Sequence, residues 1–272
     1  MKQIQSHFSR IAGQYANLRT TDIEPINFIT NRLVNKYRIN AADIGCGVGR
    51  YDLKLCDYLY NKLYLICIDN NKYMLEEIAK KLNRNRKDRC NLVNAFSECL
   101  PIANDSLDCI FSFNALHHFN LSFFFREVSR ILKKNGILFV YTRLRSQNKR
   151  NIWGMFFPDF FEKETRLYEL NYLKEQLNQN RLLKLDSIEI FRYKRQASLK
   201  WLEMQAKKHH YSTFCFYNKH EFDEALLQFR RNLVKKFENL NKIRWYDENI
   251  MLVIRRKDYD YSFSEEIETV HR

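Results

Sequence analysis

Glycine is scarce in this chain, six among 272 residues, and no low-complexity linker or internal repeat separates one stretch from another. That excludes a beads-on-string arrangement and leaves one domain with an elaboration, or two closely joined lobes, long enough to bury a full core. No apolar run reaches the ~18 residues that a membrane-spanning helix needs. The opening Met1-Lys2-Gln3-Ile4-Gln5-Ser6-His7 lacks the apolar stretch of a secretion signal. The seven cysteines (46, 56, 67, 90, 99, 109, 215) include no C-x-x-C pair, and several sit inside apolar runs where a thiol acts as a small hydrophobe. These absences lead us to expect a reduced, cytoplasmic protein without disulfides, structural zinc or any other metal site. Acidic residues are also in deficit, giving a formal net charge of +14. Basic residues gather at Lys80–Lys87, Arg143–Arg150 and Arg192–His210. Such clusters attract nucleic acid, anionic lipid or an acidic substrate, but a chain rich in Lys, Asn and Ile carries much of this charge merely as solvated surface. Nucleic acid is a possible partner, and not the favoured one.

What glycine there is lies together. Three of the six fall within five positions, in Asp43-Ile44-Gly45-Cys46-Gly47-Val48-Gly49. The run 39–44 before them reads as a short buried strand, and Arg50-Tyr51-Asp52-Leu53 after them opens a helical pattern. Strand, glycine turn and helix start together make a nucleotide cradle, in which the backbone approaches its ligand closely and the helix amino end faces it. A second apolar run ends on Asp69, twenty residues past Gly49. A carboxylate there only accepts hydrogen bonds, so it suits the two hydroxyls of a ribose.

Strands and helices alternate through the first half: helix 24–37 with Asp22 as its cap, strand 39–44, helix 49–60, strand 63–68, helix 71–83, strands at 91–94 and 106–113, helix 121–132 and strand 137–142. Alternation of this kind means a parallel sheet with right-handed crossovers, and a ligand beyond the carboxyl ends of the strands. Asp43, Asp69, Ser97 and Asn114 all fall at or just past such ends. The second half is less regular, with a helix at 168–179, a strand-like run at 182–193, helical stretches near 198–209 and 219–240, and a last strand at 250–256.

The spacing G-x-G-x-G after an acid differs from the dinucleotide fingerprint G-x-G-x-x-G. It resembles the first motif of the class I S-adenosylmethionine-dependent methyltransferases. Three further stretches resemble the UbiE-like (methyltransferase type 11) subgroup: His7–Arg19, similar to the segment those enzymes fold over the cofactor; Leu100-Pro101-Ile102 with Leu107-Asp108; and Asn114-Ala115-Leu116-His117-His118 followed by Leu132-Lys133-Lys134-Asn135-Gly136. The resemblance covers roughly residues 5–145. It implies an α/β, doubly wound, Rossmann-like sheet of seven strands in the order 3-2-1-4-5-7-6, strand 7 antiparallel. The chain then divides into a lid and first helix (1–37), a cofactor-binding core (38–195), a helical cap insertion (196–248), a last core strand (249–257) and a loosely held tail (258–272).

S-adenosylmethionine is the cofactor this resemblance implies, with Tyr15, Arg19, Asp43, Gly45, Gly47, Asp69, Asn70, Phe96, Ser97 and Asn114 around it. Phe96 stands where the subgroup has an aspartate that accepts from the adenine amine; it can pack on the base but cannot accept that bond. Glu98 is a substitute acceptor. His117 and His118, just beyond the fourth strand, are candidate general bases, or they pack against and cap the following helix. Arg143, Asn148, Trp153, His210 and Tyr211 form two polar-aromatic patches suited to an acceptor wall, while Ser212 or Thr213 alternatively caps a helix-ending turn. The expected activity is methyl transfer to a small or medium-sized metabolite. An RNA (tRNA) methyltransferase and a cofactor-binding accessory protein without transfer activity are the alternatives.

Overall fold

In the computed structural model residues 2–82 and 88–258 are described; most of the first basic cluster's loop and all but the first residue of the expected tail lie outside them. Seven strands, β1 (Ile39–Ile44), β2 (Leu63–Asp69), β3 (Cys90–Asn94), β4 (Leu107–Phe113), β5 (Leu132–Thr142), β6 (Leu183–Ala197) and β7 (Ile243–Arg256), form one sheet in the order β3-β2-β1-β4-β5-β7-β6. The first five pair parallel with one another, and β7 runs antiparallel to both β5 and β6. The expected strand order is the observed one.

The helices are α1 (Lys2–Leu18), α2 (Glu24–Leu33), α3 (Asp52–Leu59), α4 (Lys72–Lys81), α5 (Leu121–Ile131), the short α6 (Arg145–Arg150), α7 (Ile152–Phe156) and α8 (Phe160–Lys163), then α9 (Leu170–Asn178), α10 (Leu199–Lys207) and α11 (Lys219–Lys236). None of the described helices is long and apolar enough to cross a membrane. The central strands are covered on both faces, which is why β1 and β4 read as continuous apolar runs. One face packs Ile29, Leu55 and Ile78 from α2, α3 and α4. The other packs Phe124, Val128 and Leu173 from α5 and α9. A third, separate cluster joins Trp153, Phe157, Leu202, Phe214 and Phe229 around the insertion.

Two local expectations change. Asp22 does not cap α2, where Ile23 holds the cap position without a side-chain bond. Asp22 instead accepts from Arg195 on β6 at 2.7 Å, a charge-assisted bond stronger than a cap to a backbone amide. The terminal hairpin is also longer than its apolar pattern suggests, pairing from Leu183 opposite Arg256 to Ala197 opposite Ile243. Its far end is charged, with Arg195 bonded to Asp247 (3.3 Å) and Arg192 stacked on Tyr246 (4.0 Å). Such cross-strand pairs stabilise a hairpin without an apolar period. The helical insertion accordingly occupies the connection between Ala197 and Ile243, inside the expected 196–248.

Candidate functional site

A cavity of about 1050 Å³ opens at the carboxyl ends of β1, β2, β4 and β5. Its floor is the glycine turn. Gly45 and Gly47 have φ of +76° and +56°, the left-handed region that favours glycine. A Cβ on Gly45 would stand 2.4 Å from that of Ala115, so the turn can lie against the loop after β4 only with no side chain there. Around Gly47 nothing lies within 4 Å of the missing Cβ, which leaves its backbone open to a ligand. The Asp69 carboxylate fixes this turn: Oδ2 accepts from the Gly47 amide at 2.8 Å and Oδ1 from the Asn71 amide at 2.9 Å. Each oxygen keeps a second lone pair for a ligand hydroxyl. Burial raises the Asp69 pKa, and the two amide bonds oppose that shift.

Asp43 does not line this space. It is buried beneath the turn against Asp52, the first residue of α3. Burial, then the neighbouring Asp52 carboxylate, raises its pKa well above the ordinary value; Asp52 is raised too, chiefly by burial. Asp43 Oδ1 and Asp52 Oδ2 are buried and find no hydrogen-bond partner among the described residues, and two neighbouring buried carboxyls raised in this way favour one proton held between them. Cys67 donates to Asp52 at 3.5 Å. The acid of the motif therefore bolts the turn to α3 from below.

The other expected residues do meet at the cavity. Asn114 ends β4 with φ of +55° and accepts from Asn249 at 3.4 Å. Next to it the His117 and His118 rings lie 4.0 Å apart, and His118 meets Phe8 of α1 edge-on at 5.5 Å. Burial pushes the His117 pKa well down and that of His118 down to about 3, leaving both neutral near pH 7. His117 Nδ1 is sealed from solvent without a partner among the described residues. At the end of the cavity beyond Asp69, Ser97 is buried while Asn70 and Phe96 are exposed, and Glu98 accepts the Asn120 amide at 2.9 Å. Tyr15 and Arg19 close the cavity from the amino-terminal side; Arg19 lies 4.0 Å from the Tyr211 ring centre, and its Nε is buried without a partner among the described residues.

The far wall is built from the loop after β5 and from the insertion. Arg143 donates to the Tyr211 hydroxyl at 3.1 Å and to Asn249 at 3.3 Å, and pairs with Asp247 at 3.4 Å. Asn148 accepts from Asn151 at 3.1 Å, and its Nδ2 is buried unpartnered. Trp153 packs 4.8 Å from His210. His210 Nδ1 lies 3.1 Å from the Gln205 carbonyl. A carbonyl only accepts, so Nδ1 carries the proton and Nε2 keeps its lone pair. Burial, then Arg19, lowers the His210 pKa well below the usual value. Ser212 and Thr213 do not cap a turn: Thr213 donates to Glu164 at 2.6 Å, and Ser212 accepts from Arg166 at 3.0 Å. Glu164, ion-paired with Arg166, is one cavity-lining residue the sequence did not single out; nothing local marks it, since Thr213 meets it from the insertion.

Residues 42–140 match the family model of a methyltransferase domain. The match runs from the glycine turn through β5 and includes Asp69, Ser97 and Asn114. Over that stretch the chain is similar to the class I methyltransferases of the type 11 group. Among its relatives are the ubiquinone biosynthesis O-methyltransferase of Pelagibacter ubique, 28% identical over 159 residues (52% of this chain, 64% of that one). Another is the sterol 4-C-methyltransferase strm-1 of Caenorhabditis elegans, 27% identical over 121 residues (44% of this chain, 36% of that one). The matched stretch spans about half or less of the length of several curated relatives. Geranyl diphosphate C-methyltransferase of Streptomyces coelicolor A3(2), solved with S-adenosyl-L-homocysteine, shares the fold at a TM-score of 0.54 and 12% identity, over 87% of this chain and 80% of that one. The far wall, from Arg143 to Asn249, lies beyond the matched residues.

Proposed function

We propose that this chain is a methyltransferase that uses S-adenosylmethionine and transfers its methyl group to a small or medium-sized metabolite. One observation carries the reading: a single cavity, at the upper end of the ~300–1,000 Å³ range of small-molecule sites, joins the glycine turn and Asp69 to a separate polar-aromatic wall. The residues suit the cofactor. Asp69 has lone pairs to spare for ribose hydroxyls, Gly47 leaves the turn open, and the buried, unpartnered Nε of Arg19 is a donor in search of a carboxylate. When bound, the cofactor supplies a methyl on a positively charged sulfur that departs as a neutral thioether.

The protein's share of the work is alignment and exclusion of water, and alignment supplies on the order of 7–11 kcal/mol in well-oriented model reactions. A proton on the acceptor needs a base. His117 and His118 stand beside Asn114 at the lip, but the sealed Nδ1 of His117 cannot reach it without a shift of the loop. His210 is better arranged, because Gln205 fixes its tautomer and leaves Nε2 to accept. Arg143 holds the Tyr211 hydroxyl so that its proton is free to bond an acceptor oxygen.

The test is transfer of labelled methyl from S-adenosylmethionine to a panel of phenols, carboxylic acids and amines, with bulk tRNA as a further arm. Labelling of a small molecule is the expected result. Labelling of tRNA alone, with binding that falls steeply as salt rises, would move the acceptor to RNA. No binding of either S-adenosylmethionine or S-adenosylhomocysteine would end the cofactor assignment.

A further inference from the structure

Four sulfurs run in a chain from the side of α3 to the glycine turn. Cys56 on α3 lies 3.3 Å from Cys90 at the start of β3, measured between the Sγ atoms. Cys67 on β2 is hydrogen-bonded to both Cys90 and Cys46, and it donates to Asp52 at 3.5 Å. All seven cysteines of the chain carry thiols in the structure. The four differ in access. Cys46, Cys67 and Cys90 are buried, whereas Cys56 is half-buried and is the one a reagent from solvent meets first. They differ in reactivity as well, because a thiol attacks only as its thiolate. The bonds to Cys46 and Cys90, then burial, raise the Cys67 pKa, and burial raises that of Cys46. The inner two therefore stay protonated.

The backbone holds the outer pair together. Arg89, next to Cys90, donates to the Tyr60 carbonyl at 2.8 Å and to the Asn61 side chain at 2.7 Å. The Tyr60 amide in turn closes α3 by donating to the Cys56 carbonyl. The end of α3 and the start of β3 are thus tied beside the two sulfurs, and side-chain rotation has only the last gap to close to a bond of about 2.05 Å. We infer that Cys56 and Cys90 form a reversible disulfide with a small disulfide such as oxidised glutathione as oxidant, stapling α3 to β3 across a sequence separation of 34. Cys56 gives its proton to solvent, and its thiolate attacks one glutathione sulfur. A mixed disulfide forms, and the released glutathione thiolate takes up a proton. Cys90 then attacks the Cys56 sulfur, and its proton leaves with the second glutathione. Two protein thiols are oxidised, and one glutathione disulfide is reduced to two thiols. Neither cysteine lines the cavity, so the site stands apart from the S-adenosylmethionine reading.

The experiment treats the reduced full chain with oxidised glutathione and alkylates the remaining thiols in urea. The cysteines are then mapped by mass spectrometry after trypsin and chymotrypsin, the latter cutting at Phe96 between Cys90 and Cys99. A Cys56–Cys90 link is the expected product, reversed by dithiothreitol, while the exposed Cys99 takes glutathione as a mixed disulfide. In Cys90→Ala the mixed disulfide on Cys56 should accumulate about tenfold or more over the unaltered protein, since no neighbouring thiol displaces it. Should that variant fail to fold, Cys56→Ser at the half-buried position serves instead, and Cys90 should remain a thiol until Cys99 has reacted fully. Glutathione persisting on Cys56 of the unaltered protein would overturn the inference, as would a link from Cys56 to a different cysteine. Cys56 and Cys90 both still reduced once Cys99 has reacted would overturn it equally, and so would Cys90 reacting as fast as Cys99 in Cys56→Ser.

Discussion

The Arg19 guanidinium lies 4.0 Å from the centre of the Tyr211 ring. That contact closes the cavity by joining the amino-terminal segment to the insertion, and it leaves Arg19 Nε buried and unpartnered. Replacing Arg19 with Ala should weaken S-adenosylhomocysteine binding by about tenfold to a hundredfold, the value of one charge-assisted hydrogen bond. Arg19→Lys should recover little, because an ammonium neither stacks as flatly nor offers a forked donor. Calorimetry gives the answer, and full recovery by lysine would mean that charge alone matters there.

Gly45 and Gly47 should separate stability from binding. Ala at Gly45 must push against Ala115 Cβ at 2.4 Å and Phe119 Cζ at 2.9 Å, so the protein itself should lose stability, by about 2 kcal/mol or more. Ala at Gly47 meets nothing and costs only its left-handed backbone, ~1–2 kcal/mol. Its methyl group would nevertheless stand in the open space a ligand needs. Urea unfolding alongside calorimetry should therefore show Gly47→Ala losing only that backbone cost, less than Gly45→Ala loses, while being severely impaired in binding.

Asp69→Ala should weaken both S-adenosylmethionine and S-adenosylhomocysteine more than tenfold, about 1.4 kcal/mol. Two losses combine, since the ribose loses an acceptor and the Gly47 amide loses the bond that holds the turn. Unchanged affinity would remove Asp69 from the ribose.

The Asp43–Asp52 pair has raised pKa values, and its folded state binds more protons than the unfolded chain above the ordinary value of 3.8. Its contribution is thus complete below that value and is lost as pH rises through the folded pKa. Asp52→Asn supplies a permanent donor in place of the shared proton. The variant should gain stability relative to the parent as pH rises from 5 to 8, by about 1–2 kcal/mol at the upper end. Denaturant midpoints that run parallel across that range would show that no proton is shared.

His210 has the opposite sign. Its folded pKa is depressed below 6.5, so the unfolded chain binds the extra proton and stability falls as pH drops below that value. One such group gives a slope of up to about 1.4 kcal/mol per pH unit. His210→Gln should flatten the acid limb by that amount. Under the base assignment it should also lower the turnover of a hydroxyl acceptor more than its KM, a split that loss of packing alone does not produce.

The glycine-turn half of the cavity was largely legible because its signals are local. Gly45, Gly47 and Asp69 announce themselves by spacing, and the backbone conformations they require are properties of single residues. The strand order followed from resemblance, and the alternation of apolar runs agreed with it. What escaped were partnerships made across the fold. Nothing near Asp22 says that it will meet Arg195, and nothing near Asp43 says that the cavity will be closed to it by Asp52. The hairpin was read short because its outer half is held by ion pairs instead of an apolar period. The tautomer of His210 depends on the Gln205 carbonyl as a helix ends, which composition cannot show.

The separate packing of the insertion has a further consequence. Trp153, Phe214 and Phe229 form a cluster of their own at the tip of β6 and β7, apart from the two clusters that flank the sheet. Residues facing the acceptor can then be exchanged with little disturbance to the glycine turn, so one half of the molecule can drift towards new chemistry while the other stays constant. A graft of the segment between the two strands together with residues 143–163, which supply Trp153 to the same cluster, should transplant acceptor preference as a unit.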